Sequence, residues 1–261
     1  MRTTTIHPDC VYVWQIDLDV AATETQMALW RTVLSPEERL REDSFRGADL
    51  RRDYLIAHAA LRAVLGKCLG TAPASVAFQP ATSSAGMMPK PALATAMESR
   101  QSALRFNLSH TSGKALIGVV LGRELGIDIE RHRPMDDLDG MAETVMSSIE
   151  LEQWQSLPAH DRKPAFYRLW TRKEAYLKAI GLGLFRDLQD VTVPILPGIL
   201  TGPSGERLQA DWLVADRSGE GKWSVTDVLA PDGYAAAVCC EGDQVPPITF
   251  RELPISELGI P

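Results

Sequence analysis

Two acidic residues two positions apart, Asp128 and Glu130 in Gly126-Ile127-Asp128-Ile129-Glu130, and a later run Trp170-Thr171-Arg172-Lys173-Glu174-Ala175-Tyr176-Leu177-Lys178 constrain this chain more than any other feature. On a strand, residues i and i+2 point to one face, so Asp128 and Glu130 converge. On a helix, residues i and i+4 stack, so Glu174 stands beside Lys178. A fold that uses both must lay that helix against that strand. Three carboxylates without a His or Cys partner suit a hard cation such as Mg2+, which keeps waters and takes further ligands from phosphates. Lys178 then has an anion to face. Taken singly, each motif has a plainer meaning: a solvated strand face, or an i,i+4 pair on a helix surface.

The remaining pattern is mixed helix and strand. Residues 11–18 alternate as an opening strand with Trp14 on one face. Ser35-Pro36-Glu37-Glu38 is a capping box with proline at the first helical position, and predicts a helix start. Residues 49–65 carry Tyr54, His58, Leu61 and Leu65 at helical steps, with Gly66 and Gly70 marking the end. Residues 79–100 lack a period and read as a long loop. Residues 106–109 and 115–121 read as strands, and Gly122-Arg123 predicts a tight hairpin into a strand over 124–130. Ser147-Ser148-Ile149-Glu150 opens another helix. The strongest helical segment is 164–180, with Phe166, Leu169, Lys173 (through its stem), Leu177 and Ile180 buried and Gly181 as the stop. Pro231-Asp232-Gly233 turns a hairpin between 223–229 and 234–240, and the Pro-rich residues after Glu241 read as an unstructured tail.

Charge narrows the function. A formal net charge of −7 over 261 residues, with a pI near 5.3, leaves no basic footprint for nucleic acid or an anionic membrane, so any phosphate site must be local. No apolar run approaches membrane-spanning length. Cys10, Cys68, Cys239 and Cys240 lack paired spacing, which fits a reduced, cytoplasmic setting.

With Phe106-Asn107-Leu108-Ser109-His110 standing before the two acidic motifs, the chain resembles the surfactin-type 4'-phosphopantetheinyl transferases over roughly residues 11–240. The resemblance implies an α+β fold of two similar halves related by pseudo-twofold symmetry. Residues 1–117 would grip the nucleotide, 118–245 would carry the metal site and catalytic helix, and 246–261 would form a tail. It implies a monomeric, Mg2+-dependent enzyme that moves the phosphopantetheine arm of coenzyme A onto a serine of an apo acyl or peptidyl carrier protein, releasing 3',5'-ADP. By position, Asp128, Glu130 and Glu174 would hold the metal, Glu174 would help deprotonate the serine, and Lys178 would face the departing phosphate. Ser109 and His110 match positions that contact coenzyme A phosphates, with His110 near the 3'-phosphate. Arg41, Arg46 and Arg52, within the basic run from Arg39 to Arg52, and Lys90 with Pro91 complete the expected nucleotide contacts. One departure stands out: the family's usual Gly-Lys-Pro is here Pro89-Lys90-Pro91, and proline fixes φ and removes a donor where glycine would let backbone approach the ligand. Two rival readings use the same residues. A Mg2+-dependent phosphodiesterase would want a basic substrate groove. A non-catalytic binder of coenzyme A or carrier protein would not need every catalytic position filled, as it is here.

Overall fold

The computed structural model describes residues 4–79, 90–94, 103–181, 187–195, 199–201, 207–209, 211–216, 221–258 and 260. The chain opens with β1 (Val11–Asp17), three helices α1 (Glu24–Arg31), α2 (Pro36–Asp43) and α3 (Ala48–Leu69), and then strands β2 (Leu104–Thr111) and β3 (Lys114–Leu121). The order then repeats: β4 (Leu125–Arg131), α4 (Leu138–Val145), α5 (Ser148–Gln155) and α6 (Ala159–Ile180). Short strands β5 (Val191–Thr192) and β9 (Ala215–Asp216) pair with each other, as do β6 (Ile199–Thr201) and β7 (Arg207–Gln209). With β8 (Trp212–Leu213), β10 (Trp223–Asp227), β11 (Tyr234–Glu241) and β12 (Ile248–Glu252), the main strands form two four-stranded sheets, β12-β1-β3-β2 and β4-β11-β10-β8. Without their outer strands, β1-β3-β2 and β4-β11-β10 are the same arrangement twice. This is the expected α+β fold of two similar halves.

Local chemistry repeats along with the topology. Ser35 with Glu38 and Ser147 with Glu150 form reciprocal capping boxes at the starts of α2 and α5. The helices α3 and α6 each run 22 residues and end at a glycine of positive φ, Gly70 at 68° and Gly181 at 74°, where a side chain would be strained. Alternation along the strands sorts the core into layers. Tyr12, Trp14 and Ile16 of β1 pack with α3, while Val11 and Val13 face Ile127 and Ile129 of β4 in a core between the sheets. The layers therefore run α3, sheet, sheet, α6.

Several expectations need correction. Gly122 turns the chain at φ 73°, but β3 and β4 do not form a hairpin. β3 stays between β1 and β2, and β4 crosses to pair antiparallel with β11, because their apolar residues oppose each other across the inter-sheet core. The first-half hairpin is β2–β3, turned at Gly113 with φ 84°. The boundary expected at 117/118 thus falls inside β3, and the passage between sheets lies at 122–124. The expected tail, 246–261, is not loose where it is described: β12 pairs in parallel with β1, from Val11↔Ile248 to Gln15↔Glu252, covering an edge that would otherwise present bare backbone. Helix α6 begins before Pro164, at Ala159. Helices α1 and α4 were absent from the sequence reading, although Thr23-Glu24-Thr25-Gln26 is itself a capping box. Most of the long loop, with Pro89, lies outside the described residues; an isolated bridge ties Leu93, within the loop, to Phe78 just before it. Among the described residues no helix is long and apolar enough to cross a membrane.

Candidate active site

The site forms where α6 lies on β4, and a glycine sets how closely. A Cβ built on Gly126 would stand 2.0 Å from the Ala175 carbonyl oxygen and 2.4 Å from the Ala179 nitrogen, so only a residue without one lets helix backbone rest on this strand. Asp128 and Glu130 share the face of Gly126, two and four residues on. The same helix carries Glu174 and Lys178 on the stripe next to Ala175 and Ala179.

Two residues of the helical motif anchor α6 and leave the others free for chemistry. Arg172 grips Asp227 of β10 with two parallel bonds, Nε to Oδ1 at 2.8 Å and Nη2 to Oδ2 at 2.9 Å. Lys173, expected to bury only its stem, is wholly enclosed. Its ammonium donates to Glu150 Oε2 at 2.6 Å and to the carbonyls of Val145 and Leu188, both at 2.8 Å. Burial lowers the Lys173 pKa, and Glu150 opposes the shift.

Lys178 does not pair along the helix surface. Its ammonium bridges strands, donating to Asp128 Oδ1 at 2.6 Å and Ser109 Oγ at 2.8 Å, while Ser109 Oγ donates to the same Asp128 oxygen at 2.8 Å. Thr111 Oγ1 donates to Glu130 Oε2 at 3.2 Å. Sequence, strand and helix therefore bring Ser109, Asp128, Glu130, Glu174 and Lys178 into one neighbourhood. Burial, then the charge of Asp128, pushes the Glu174 carboxyl up to about 7, with Lys178 pulling the other way. Burial and Asp128 also raise Glu130. Among the described residues, Asp128 Oδ2 and Glu174 Oε1 are buried oxygens without a hydrogen-bond partner. Mutually repelling, hard oxygen donors with orphaned lone pairs are the donor set a divalent cation would satisfy. As placed, no three His, Cys, Asp or Glu side chains among the described residues close tightly enough to hold an ion. The donors fit Mg2+ in chemistry.

His110, next to Ser109 on β2, has exposed surface, but crowding around its ring, then the nearby His58 and Lys178, lowers its pKa to about 4. His58 itself stacks on Tyr54 with ring centroids 3.9 Å apart and bonds Glu38 Oε1 at 3.2 Å. The remaining nucleotide candidates are dispersed. Arg41 and Arg46 are exposed on and after α2, Arg41 lying over the Phe45 ring at 5.3 Å. Arg52 is engaged with Asp53 at 3.1 Å, Asp49 at 3.4 Å and Asp19 at 3.7 Å. Lys90 is not brought to the carboxylates: it bonds Glu124 Oε2 and the Leu125 carbonyl, both at 2.7 Å, beside the exposed Pro91. Residues the sequence reading passed over include Asn107, Thr111, Gly126, His58 and Arg133, whose guanidinium reaches Thr111 Oγ1 at 3.4 Å and Ser112 Oγ at 3.3 Å. The period-two polar run Asn107, Ser109, Thr111 was a visible signal; nothing marked Arg133.

The 4'-phosphopantetheinyl transferase superfamily profile matches residues 124–239, the stretch from the start of β4 to the middle of β11. Over 238 residues, 91% of this chain and 90% of the relative, the sequence is 34% identical to the 4'-phosphopantetheinyl transferase HetI of Nostoc sp.. It is 27% identical over 183 residues to a 4'-phosphopantetheinyl transferase of Bacillus subtilis, covering 70% of this chain and 75% of that one. A solved holo-(acyl-carrier-protein) synthase from Bacillus anthracis, in complex with CoA (3',5'-ADP), covers 45% of this chain and 94% of its own at 19% identity and a TM-score of 0.34, too distant to bear on the site. The chain belongs to the 4'-phosphopantetheinyl transferase superfamily. Its activity is phosphopantetheinyl transfer.

Proposed function

We propose that this enzyme is a surfactin-type member that transfers the 4'-phosphopantetheine arm of coenzyme A to the hydroxyl of a serine on an apo acyl or peptidyl carrier protein, releasing 3',5'-ADP. The observation that carries the reading is the pair of orphaned, buried carboxylate oxygens on Asp128 and Glu174 beside the Lys178–Ser109–Asp128 bridge. Asp128, Glu130 and Glu174 would hold Mg2+, which when bound neutralises charge on the pyrophosphate. Glu174, its pKa pushed up to about 7, is poised to accept the proton of the incoming serine hydroxyl, directly or through a water. Lys178 places a cation where the departing 3',5'-ADP phosphate gains charge. His110, neutral in the free protein, presents imidazole to the 3'-phosphate, and Ser109 orients Asp128. Arg41, Arg46 and Arg52 supply positive charge from the first half. Lys90 and Pro91 would line the nucleotide edge, with Lys90 first releasing Glu124.

Both walls of the proposed cleft come from one chain, which favours a working monomer. Four unpaired thiols suit a cytoplasmic setting. The test is intact-protein mass spectrometry of a panel of apo carrier proteins incubated with coenzyme A and Mg2+. Each true substrate should gain one phosphopantetheine mass, and chelation should stop the gain. Glu174→Gln should lower turnover by roughly 10²–10⁴-fold with the fold kept. Cleavage of coenzyme A without carrier modification would mark a phosphodiesterase instead.

A further inference from the structure

The edge of β4 that turns away from β11 is bonded to side chains and not to a neighbouring strand's backbone. The Ile127 N–H donates to Asn107 Oδ1 at 3.0 Å, and the Ile129 N–H donates to Ser109 Oγ at 3.4 Å. Both links advance by two residues on each strand, so β2 and β4 keep one parallel register, and Asp128 lies between the two bonded amides. Ser109 is already tied to Asp128 and Lys178. Asn107 is buried as Ser109 is, but among the described residues its bond across the seam goes to backbone and not also to Asp128 or Lys178. Because side chains on a strand alternate, a one-residue slip of β4 would turn Asp128 and Glu130 to the opposite face.

We propose that Asn107 is a positioning residue that sets the register between the strand carrying the carboxylates and the strand carrying Ser109 and His110, so that cation and nucleotide phosphate are gripped at the correct separation. This rests on the reading of Asp128, Glu130 and Glu174 as a Mg2+ site and of Ser109 and His110 as a coenzyme A phosphate site. It assigns Asn107 no contact with substrate. Its function is to hold the Ile127 amide, and through it the placement of Asp128.

Isothermal titration of coenzyme A, with and without Mg2+, tests the proposal without any turnover. Asn107→Leu keeps the volume but removes the acceptor, leaving the Ile127 N–H bare. It should keep metal-free affinity within about twofold and lose about tenfold or more of the tightening that Mg2+ gives the natural protein, since misplacement of a group by about 1 Å costs up to about 10²-fold. Asn107→Asp retains an acceptor of the same shape and should retain most of the tightening. Asn107→Ala replaces the leucine variant if circular dichroism shows that one unfolded. A merely structural residue would weaken both titrations alike or neither. Full Mg2+ tightening in the leucine or alanine variant, or an aspartate variant as impaired as they are, overturns the assignment of Asn107. Absence of any Mg2+ effect in the natural protein removes the metal reading itself, and this inference with it.

Discussion

The two long helices rest on sheets of opposite character. Under α3, β1 turns up Tyr12, Trp14 and Ile16, an apolar face that closes the first core. Under α6, the strand in the same place turns up Gly126, Asp128 and Glu130. Each first strand lies beside the last strand of its own hairpin, so these positions correspond by topology. One arrangement thus carries a packed interface in the first half and a chemical one in the second. The difference shows in how each helix is held. Both use a cation reaching a capping glutamate, Arg62 to the half-buried Glu38 at 2.6 Å and Lys173 to the fully buried Glu150 at 2.6 Å. Among the described residues, only α6 adds a second buried pair, Arg172 with Asp227. Where acids occupy the sheet-facing positions, ion pairs elsewhere on the helix take over part of the anchoring.

Breaking the matched anchors should give the largest effects, and unequal ones. Lys173→Met strands Glu150 fully buried without its cation and should cost about 3–5 kcal/mol. Arg62→Met should cost less: each glutamate keeps backbone N–H donors, Ser35 for Glu38 and Ser147 with Val193 for Glu150, but Glu38 is partly exposed and also keeps the His58 imidazole beside it. Urea denaturation of both variants checks the ranking; equal losses would mean that the extra enclosure of the second pair is energetically irrelevant.

A glycine comparison comes next. Gly126→Ala forces a Cβ into helix backbone and should cost up to about 3 kcal/mol, with transfer activity falling as α6 lifts from the carboxylates. Gly118→Ala, whose Cβ would meet side-chain carbons of Leu125 at 3.3 Å and Ile127 at 3.5 Å, should cost less than about 1.5 kcal/mol. Thermal melts with activity at matched folded fraction would test this, and a benign Gly126→Ala would mean the helix can shift without harm.

How much of this was readable beforehand differs between the halves as well. The paired strand carboxylates, the helix over 164–180 and the helix starts at Ser35 and Ser147 are legible because each is a local pattern whose spacing names its element. The identity of Lys173 as a buried ion-pair partner was not, since its glutamate lies 23 residues away on α5. The β3–β4 hairpin misled because a turn glycine says where a chain bends and not which sheet receives it. The return of β12 to β1 was hidden for a similar reason: pairing at opposite chain ends leaves no local trace. Gly126 sat inside a quoted motif, yet its meaning needs the helix that covers it.

A pH-dependent effect isolates the acids from the fold. Glu174 in the folded protein holds its proton up to about pH 7, against an ordinary value of 4.5, so the folded state binds more protons than the unfolded chain between those limits. Stability from this group is therefore present below about pH 4.5 and is lost as pH rises through about 7. Glu130, raised for the same reasons, adds to the loss. His110 acts oppositely: lowered to about 4 from 6.5, it makes stability rise with pH over that span. A raw melting profile mixes these signs, so the informative quantity is the difference between Glu174→Gln and the natural protein, both in chelator. Glutamine mimics the protonated acid, and the difference in melting temperature should be near zero at pH 4.5 and grow to a plateau above about pH 7, with the variant the more stable. A constant offset across that range would show that the Glu174 carboxyl is not held in the repulsive pocket that makes it a candidate base.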